Sequence, residues 1–187
     1  MKFILSISIT LGVFLFPGED QNNSIGMDPI SDRERIEAQY PDSRIEYILE
    51  RVNRVRTRGC KCGSVWMEAT NTVEWNTVLE QTAREHADQM DNYDFFSHRS
   101  LDGKNIGQRL DDAGYKWRYE GENIAEGQRS FDEVLNDWIE STTHCKMLMN
   151  PKLEEMGVAS VGRDWVQHFG TKMPSKTVRK KTYYREG

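Results

Sequence analysis

The stretch from Met156 to Phe169 reads MGVASVGRDWVQHF, and it decides the fold class. Two short runs rich in Val, Trp and Phe, Met156 to Val161 and Trp165 to Phe169, flank Gly162-Arg163-Asp164. Such runs around a glycine-bearing turn predict a β-hairpin. The residues before it carry a different period. Ile45, Ile48, Leu49, Val52 and Val55 recur at helical spacing, with Asp42 or Ser43 available as the cap and Gly59 as the stop. Leu79, Ala83, Ala87 and Met90 make the apolar stripe of a second helix within Asn76 to Asn92, whose wet face is Glu80, Arg84, Glu85 and Asp88. A third helix is expected from Asn105 to Ala113, closed by Gly114. Ser130 with Glu133 three residues on is a capping-box signature for a fourth helix, built on Phe131, Val134, Leu135, Trp138 and Ile139. Helices first and strands last, with one more strand near Tyr115 to Tyr119, predict an α+β layered domain; no βαβ alternation is visible.

The chain has 187 residues, which fits one domain with tails. With 37% hydrophobic and 29% charged residues it has the composition of a globular chain able to bury a core. Lys and Arg number 25 against 30 Asp and Glu, a net charge of −5, so a surface-wide nucleic-acid binder is disfavoured. No nucleic-acid partner is expected, and the folded unit is expected to be a monomer. Lys2 precedes an apolar run from Phe3 to Phe16. That run is short of the roughly 20 residues that span a bilayer and falls within the ~7–15 of a signal-peptide core. Residues 1–18 are therefore expected to be a secretory signal, leaving no transmembrane helix in a mature chain that is secreted, periplasmic or extracellular. Residues 19–41, polar and without sustained periodicity, are expected to be a flexible linker, and 42–170 the folded domain. Residues 171–187 carry Lys172, Lys176, Arg179, Lys180, Lys181 and Arg185 against Glu186, and are read as a solvated basic tail with no assigned function.

Imidazole chemistry has to come from four residues, His86, His98, His144 and His168. His98 follows the second helix in Phe95-Phe96-Ser97-His98. Glu122 lies in Gly121-Glu122-Asn123, where the glycine permits an unusual backbone angle and a close approach. His144 follows the fourth helix in Ser141-Thr142-Thr143-His144-Cys145, in a loop or at a helix end. All three sit at element boundaries, where binding residues concentrate, and their N and O atoms suit zinc with an open coordination position. Read from the residues alone, these histidines are equally well surface or hydrogen-bonded groups, with Glu122 capping a turn. His-Glu-x-x-His, Cys-x-x-Cys and Gly-x-Ser-x-Gly are all absent from the sequence. His86 lies beside the buried stripe of the second helix and reads as a satisfied core histidine. His168 alternates with Val166 along the last strand and receives no role.

Three cysteines allow one intrachain bridge with a thiol left over. Cys60 and Cys62 form a Cys-Lys-Cys pair after the first helix. In an exported protein, either one paired with Cys145 closes a loop of about 85 residues, worth roughly 4 kcal/mol in chain-entropy terms, and holds His144 in place. A Cys60–Cys62 bridge would need a very small, strained ring. The five tryptophans fall one per segment, as packing residues do.

In order along the chain come Val52-Asn53-Arg54-Val55-Arg56, Glu74-Trp75-Asn76, His86-Ala87-Asp88-Gln89-Met90, Phe96-Ser97-His98, Asp102-Gly103 and Ala113-Gly114-Tyr115. Gly121-Glu122-Asn123-Ile124-Ala125, Trp138-Ile139-Glu140-Ser141, His144-Cys145, Met156-Gly157-Val158 and Trp165-Val166-Gln167 follow. This series resembles the CAP superfamily of cysteine-rich secretory proteins, antigen 5 and pathogenesis-related class-one proteins, in its bacterial SCP-like branch. The resemblance covers about 125 residues. It implies a three-layer α-β-α sandwich with a small antiparallel central sheet. It also implies a shallow cleft with two histidines and two acids, which binds zinc in several members.

Carried over by motif, His98 and His144 are the imidazole pair and Glu122 is the first acid, a metal ligand directly or through water. The second acid of the family falls on Ser141, with Glu140 one residue earlier, so the tetrad is incomplete; Asn123, Glu140 and Ser141 are supporting residues. The resemblance favours a secreted, non-enzymatic binding module for a lipid, an envelope component or a protein, with a cleft that takes up Zn2+ weakly above about pH 6.5, where imidazoles are neutral. One alternative is a peptidase-like zinc hydrolase on His98, His144 and Glu122, with Glu122 as general base. Another is a structural adhesion domain without a ligand.

Overall fold

The computed structural model describes residues 41–174. The expected signal, nearly all of the linker and most of the basic tail lie outside the described residues. The elements are α1 (Pro41–Arg58), β1 (Cys60–Cys62), β2 (Val65–Met67), β3 (Glu74–Trp75), α2 (Thr77–Tyr93), α3 (Ile106–Asp112) and β4 (Trp117–Glu126). They continue as α4 (Phe131–Glu140), α5 (Thr142–Leu148), β5 (Glu155–Val161) and β6 (Asp164–Lys172). The four predicted helices are α1 to α4, and the predicted hairpin is β5–β6. Val161 pairs with Asp164, so its turn is the two residues Gly162 and Arg163, and Gly162 takes the left-handed φ of 53° that such a turn requires.

The main sheet has the order β3-β5-β6-β4. β5–β6 and β6–β4 are antiparallel, whereas β3 joins β5 in parallel through Glu74↔Glu155 and Trp75↔Met156. This short parallel edge is the departure from the expected all-antiparallel sheet. β1 and β2 form a separate small ladder.

Strand alternation sorts the core into two faces. Met156, Val158 and Phe169 pack with Ile48 and Val52 of α1, Val134, Leu135 and Trp138 of α4, and Leu148 of α5. Ile124, Ala159 and Val166 meet Ala83, Ala87 and Met90, the predicted stripe of α2. Leu79, Ile106, Leu110 and Tyr115 then fasten α3 to the start of α2. Helices cover both faces, giving the α-β-α sandwich. Each fully buried aliphatic side chain stabilises by about 1.5–3 kcal/mol, so these two faces supply the main driving force. Gly157 is where α2 presses hardest on the sheet: a Cβ there would collide with the backbone of Leu79 and Glu80.

Local chemistry sets the helix ends. Asn76 Oδ1 accepts the amides of Val78 and Leu79 to start α2, and Asp94, at φ 50°, ends it. Asn105 and Gln108 form a reciprocal capping box on α3. Ser130 Oγ accepts the Glu133 amide as predicted, but Glu133 reaches back to the amide of Arg129, not Ser130. α1 starts at Pro41, ahead of the expected caps; proline suits a first helical turn because its missing N–H has no partner there anyway. β4 begins two residues after Tyr115 and runs on through Gly121-Glu122-Asn123, and β6 continues to Lys172.

Two features stitch the layers together. Arg56 of α1 is fully buried and donates to the carbonyls of Asn71 (2.8 Å), Leu148 (2.6 Å) and Leu153 (3.1 Å); burial lowers its pKa to about 10. Of the two pairings left open, the structure selects Cys62–Cys145, with Cα atoms 5.4 Å apart, and leaves Cys60 free. The bond ties β1 to α5.

Candidate functional site

Glu122 is the centre of the site. Its neighbours in β4 alternate between layers: Glu122 turns towards α2 and α3, while Asn123 turns towards α5. Glu122 pairs across the ladder with His168 of β6, and its side chain is only 3% exposed. Three donors converge on this carboxylate. His98 Nδ1 donates to Oε1 at 2.7 Å, His168 Nε2 donates to Oε2 at 2.8 Å, and Arg109 Nη2 donates to Oε2. A carboxylate only accepts, so these contacts fix the proton on His98 Nδ1 and on His168 Nε2. Burial by itself would push Glu122 up, but the hydrogen bonds from His168 and His98 and the positive charges around it prevail. They hold its pKa well below the usual carboxylate range.

The shell around this carboxylate orders the loop that carries His98. Arg109 Nη1 donates to the carbonyls of His98 (3.2 Å) and Lys104 (3.2 Å) and to Ser100 Oγ (3.1 Å). His86 donates from Nε2 to the Ser97 carbonyl at 2.8 Å and lies edge-on to Phe95. Burial first, then the charge of Arg109, lowers the His86 pKa from 6.5 to about 4, so it is a neutral strut. His168 is likewise fully buried and lowered by desolvation; its Nδ1 lies 2.9 Å from Thr82 Oγ1 of α2. His98 itself is 60% exposed on its side chain. Its pKa is raised, chiefly by the hydrogen bond to Glu122.

His144 comes from the other layer. It is not in a loop but in the first turn of α5, because Ser141 ends α4 and also starts α5. Asn123 Nδ2, fully buried, reaches the His144 carbonyl (3.4 Å) and Gln167 Oε1 (3.1 Å). β4 is an edge strand, and both the His98 loop and α5 are bonded to it, through Glu122 and Asn123. Burial and then the charge of His98 lower the His144 pKa. Gly121 serves by lacking a side chain rather than by an unusual backbone angle: its φ is not positive, and a Cβ there would strike Met147 of α5.

Of the residues expected at the site, His98 and Glu122 are in direct contact, and His144 comes from the opposite layer with its carbonyl held by Asn123. Glu140 is exposed at the end of α4 and Ser141 occupies the helix junction. Among the described residues, the one set of three ligand atoms within 4.8 Å of one another belongs to Cys60, Cys62 and Cys145, not to His98, Glu122 and His144. Sequence reading missed Arg109, His168 and Thr82. Arg109 had a signal, a charge on the apolar side of α3 beside Ile106 and Leu110. The pairing of His168 with Glu122 joins segments 46 residues apart and left none. A separate groove of about 1110 Å3 lies between α1, the start of α4 and the β5–β6 turn, lined in part by Arg44, Tyr47, Phe131, Asp132 and Trp165, and contains none of these site residues.

An α-β-α sandwich with a histidine loop resting on a buried glutamate of the edge strand defines a CAP-type domain. The sequence profile of the cysteine-rich secretory protein (CAP) family matches residues 49–169, and the chain belongs to that family. The uncharacterized protein YkwD of Bacillus subtilis (strain 168) is 25% identical over 155 residues, covering 80% of this chain and 57% of that protein. This chain thus spans little more than half of that relative. An extracellular SCP-domain protein from Bacillus anthracis (strain Ames) superposes with a TM-score of 0.63 at 23% identity, over 78% of this chain and 45% of that one. An outer surface protein from Borrelia burgdorferi gives 0.55 at 21% identity, over 77% and 97% respectively. Likeness at these identities establishes the fold.

Proposed function

We propose that this protein is an exported binding module whose ligand, a lipid, an envelope component or another protein, is held at the His98/His144 cleft, with a weakly bound divalent ion as an accessory. Export is favoured by the Cys62–Cys145 bond, since such bonds persist in oxidising compartments, and by the apolar run Phe3 to Phe16. The observation that carries the cleft reading is the hydrogen bond from His98 Nδ1 to Glu122. It orients the ring and leaves Nε2 as the ligating atom, the arrangement in which a carboxylate supports a metal-binding histidine. His98 and His144 would hold the ion and Glu122 would support it from behind. When bound, the ion supplies a Lewis-acidic point for an oxygen of the ligand.

The zinc-hydrolase reading is weaker on this geometry. Glu122 already accepts from three donors and is strongly ionised, so it is a poor general base. The missing acid at Ser141 points the same way.

Titration calorimetry with zinc chloride near pH 7 tests the reading. Weak uptake by the wild type, lost in the His98→Ala/His144→Ala double variant, is expected. Equal uptake by both proteins would refute the site.

A further inference from the structure

A different cluster lies beneath α5. Cys60 and Cys62 are two apart on β1, so strand alternation points both at Cys145. Cys62 and Cys145 form the buried disulfide, while Cys60, partly exposed, is a free thiol. Cys60 Sγ lies 3.5 Å from Cys145 Sγ and 3.9 Å from Cys62 Sγ, in contact with both atoms of the bond. Met149, Val55 and Met67 wall the cluster with apolar surface, and Gly63 lets Thr142 at the start of α5 close down on β1.

We propose that Cys60, Cys62 and Cys145 form a thiol–disulfide exchange centre, in which Cys60 displaces Cys62 from Cys145 and opens the buried bond to small thiol compounds. Cys60 Sγ rests beside the bond, so its side chain first turns into line behind Cys145, opposite Cys62. The Cys60 thiolate then attacks Cys145 Sγ: the Cys60–Cys145 bond forms, the Cys62–Cys145 bond breaks, and Cys62 leaves as a thiolate that takes up the proton Cys60 gave away. No oxidant or reductant is consumed. Attack on Cys62 instead would bridge residues two apart in a strained ring, so Cys145 is the productive target.

Only Cys60 reaches solvent among the three sulfurs. A small thiolate therefore meets the bond in its Cys60–Cys145 form, attacks Cys60 Sγ to give a mixed disulfide, and releases the Cys145 thiolate. A second thiolate then attacks the mixed disulfide, leaving as a small-molecule disulfide and freeing the Cys60 thiol. Burial raises the Cys60 pKa, which slows the first step without blocking it. The consequence falls on α5, where Cys145 neighbours His144.

Two measurements on the folded protein test this. In the first, wild-type protein held in mildly alkaline buffer is quenched and unfolded in acid with a maleimide, then mapped by mass spectrometry. Label on Cys62 in part of the chains, with a Cys60–Cys145 bond in the same fraction, is expected. Label on Cys60 alone at every time point overturns the proposal. In the second, Cys60→Ser, which keeps the Cys62–Cys145 bond, is reduced under native conditions by glutathione. Reduction at least about tenfold slower than in the wild type is expected; equal rates overturn the proposal. Both results are required.

Discussion

Replacing Glu122 by Gln isolates the charge of the carboxylate from its shape. The amide oxygen can still accept from Arg109 and His168, and the amide N–H can meet His98 Nδ1 once that ring changes tautomer, so the hydrogen bonds survive in number. Arg109, 9% exposed on its side chain, is then left buried without its counter-ion. Removing one partner of a buried pair costs about 3–5 kcal/mol, and the retained bonds put this variant near 3 kcal/mol, a fall in Tm of roughly 10 °C for a domain of this size. Urea unfolding of Glu122→Gln, Arg109→Met and the double variant completes a thermodynamic cycle. The double variant, with no charge left stranded, should recover at least half of the loss. NMR titration of His98 in Glu122→Gln should show its pKa falling back towards the ordinary value, since the hydrogen bond that raises it no longer ends on a charge. A loss below about 1 kcal/mol, or single-variant losses that simply add, would mean that Glu122 and Arg109 do not act as a pair.

Arg56→Ala should cost about 3 kcal/mol or more in denaturant unfolding, because the carbonyls of Asn71 and Leu148 lose their donor inside the protein and that of Leu153 loses one of two. His86 has a folded pKa near 4 against 6.5 unfolded, so between those values the unfolded chain binds more protons and stability falls as pH falls. The loss sums to about 3 kcal/mol from pH 6.5 to 4; His86→Gln, which does not titrate, should flatten that slope in pH-dependent unfolding curves. His98 has the opposite sign: its raised pKa adds stability that is complete below its unfolded value and disappears as pH rises through its folded one. Gly157→Ala should lose more than about 1 kcal/mol in thermal unfolding, since a Cβ meets the backbone of α2 and not a side chain that can turn away.

Much of this molecule is local and therefore readable. The stripes of α1 and α2, the cap at Ser130, the stop at Gly114 and the hairpin around Gly162 are properties of neighbours in the chain. The family motifs added the pairing of His98 with Glu122, which the structure brings into contact. Legibility was partial where two periods overlap: Ser141 both ends α4 and begins α5, so a stretch read as loop or helix end is the first turn of a further helix with His144 in it. At Gly121-Glu122-Asn123 the close approach that glycine allows is real, Met147 filling the space, but the unusual backbone angle is not, since the segment is strand.

By itself the sequence determined most of the helices, the final hairpin and which faces are apolar, because hydrophobic period and capping act over a few residues. The tertiary structure alone decided that Glu122 is a buried hub instead of a free carboxylate. Its partners Arg109, His168 and, through Ser97, His86 come from α3, β6 and α2. No pattern along the chain records the ladder register and the helix packing that bring them within hydrogen-bonding range of one carboxylate. The choice of Cys62 over Cys60 belongs with these, since both lie on the same face of β1 and only the seating of α5 tells them apart.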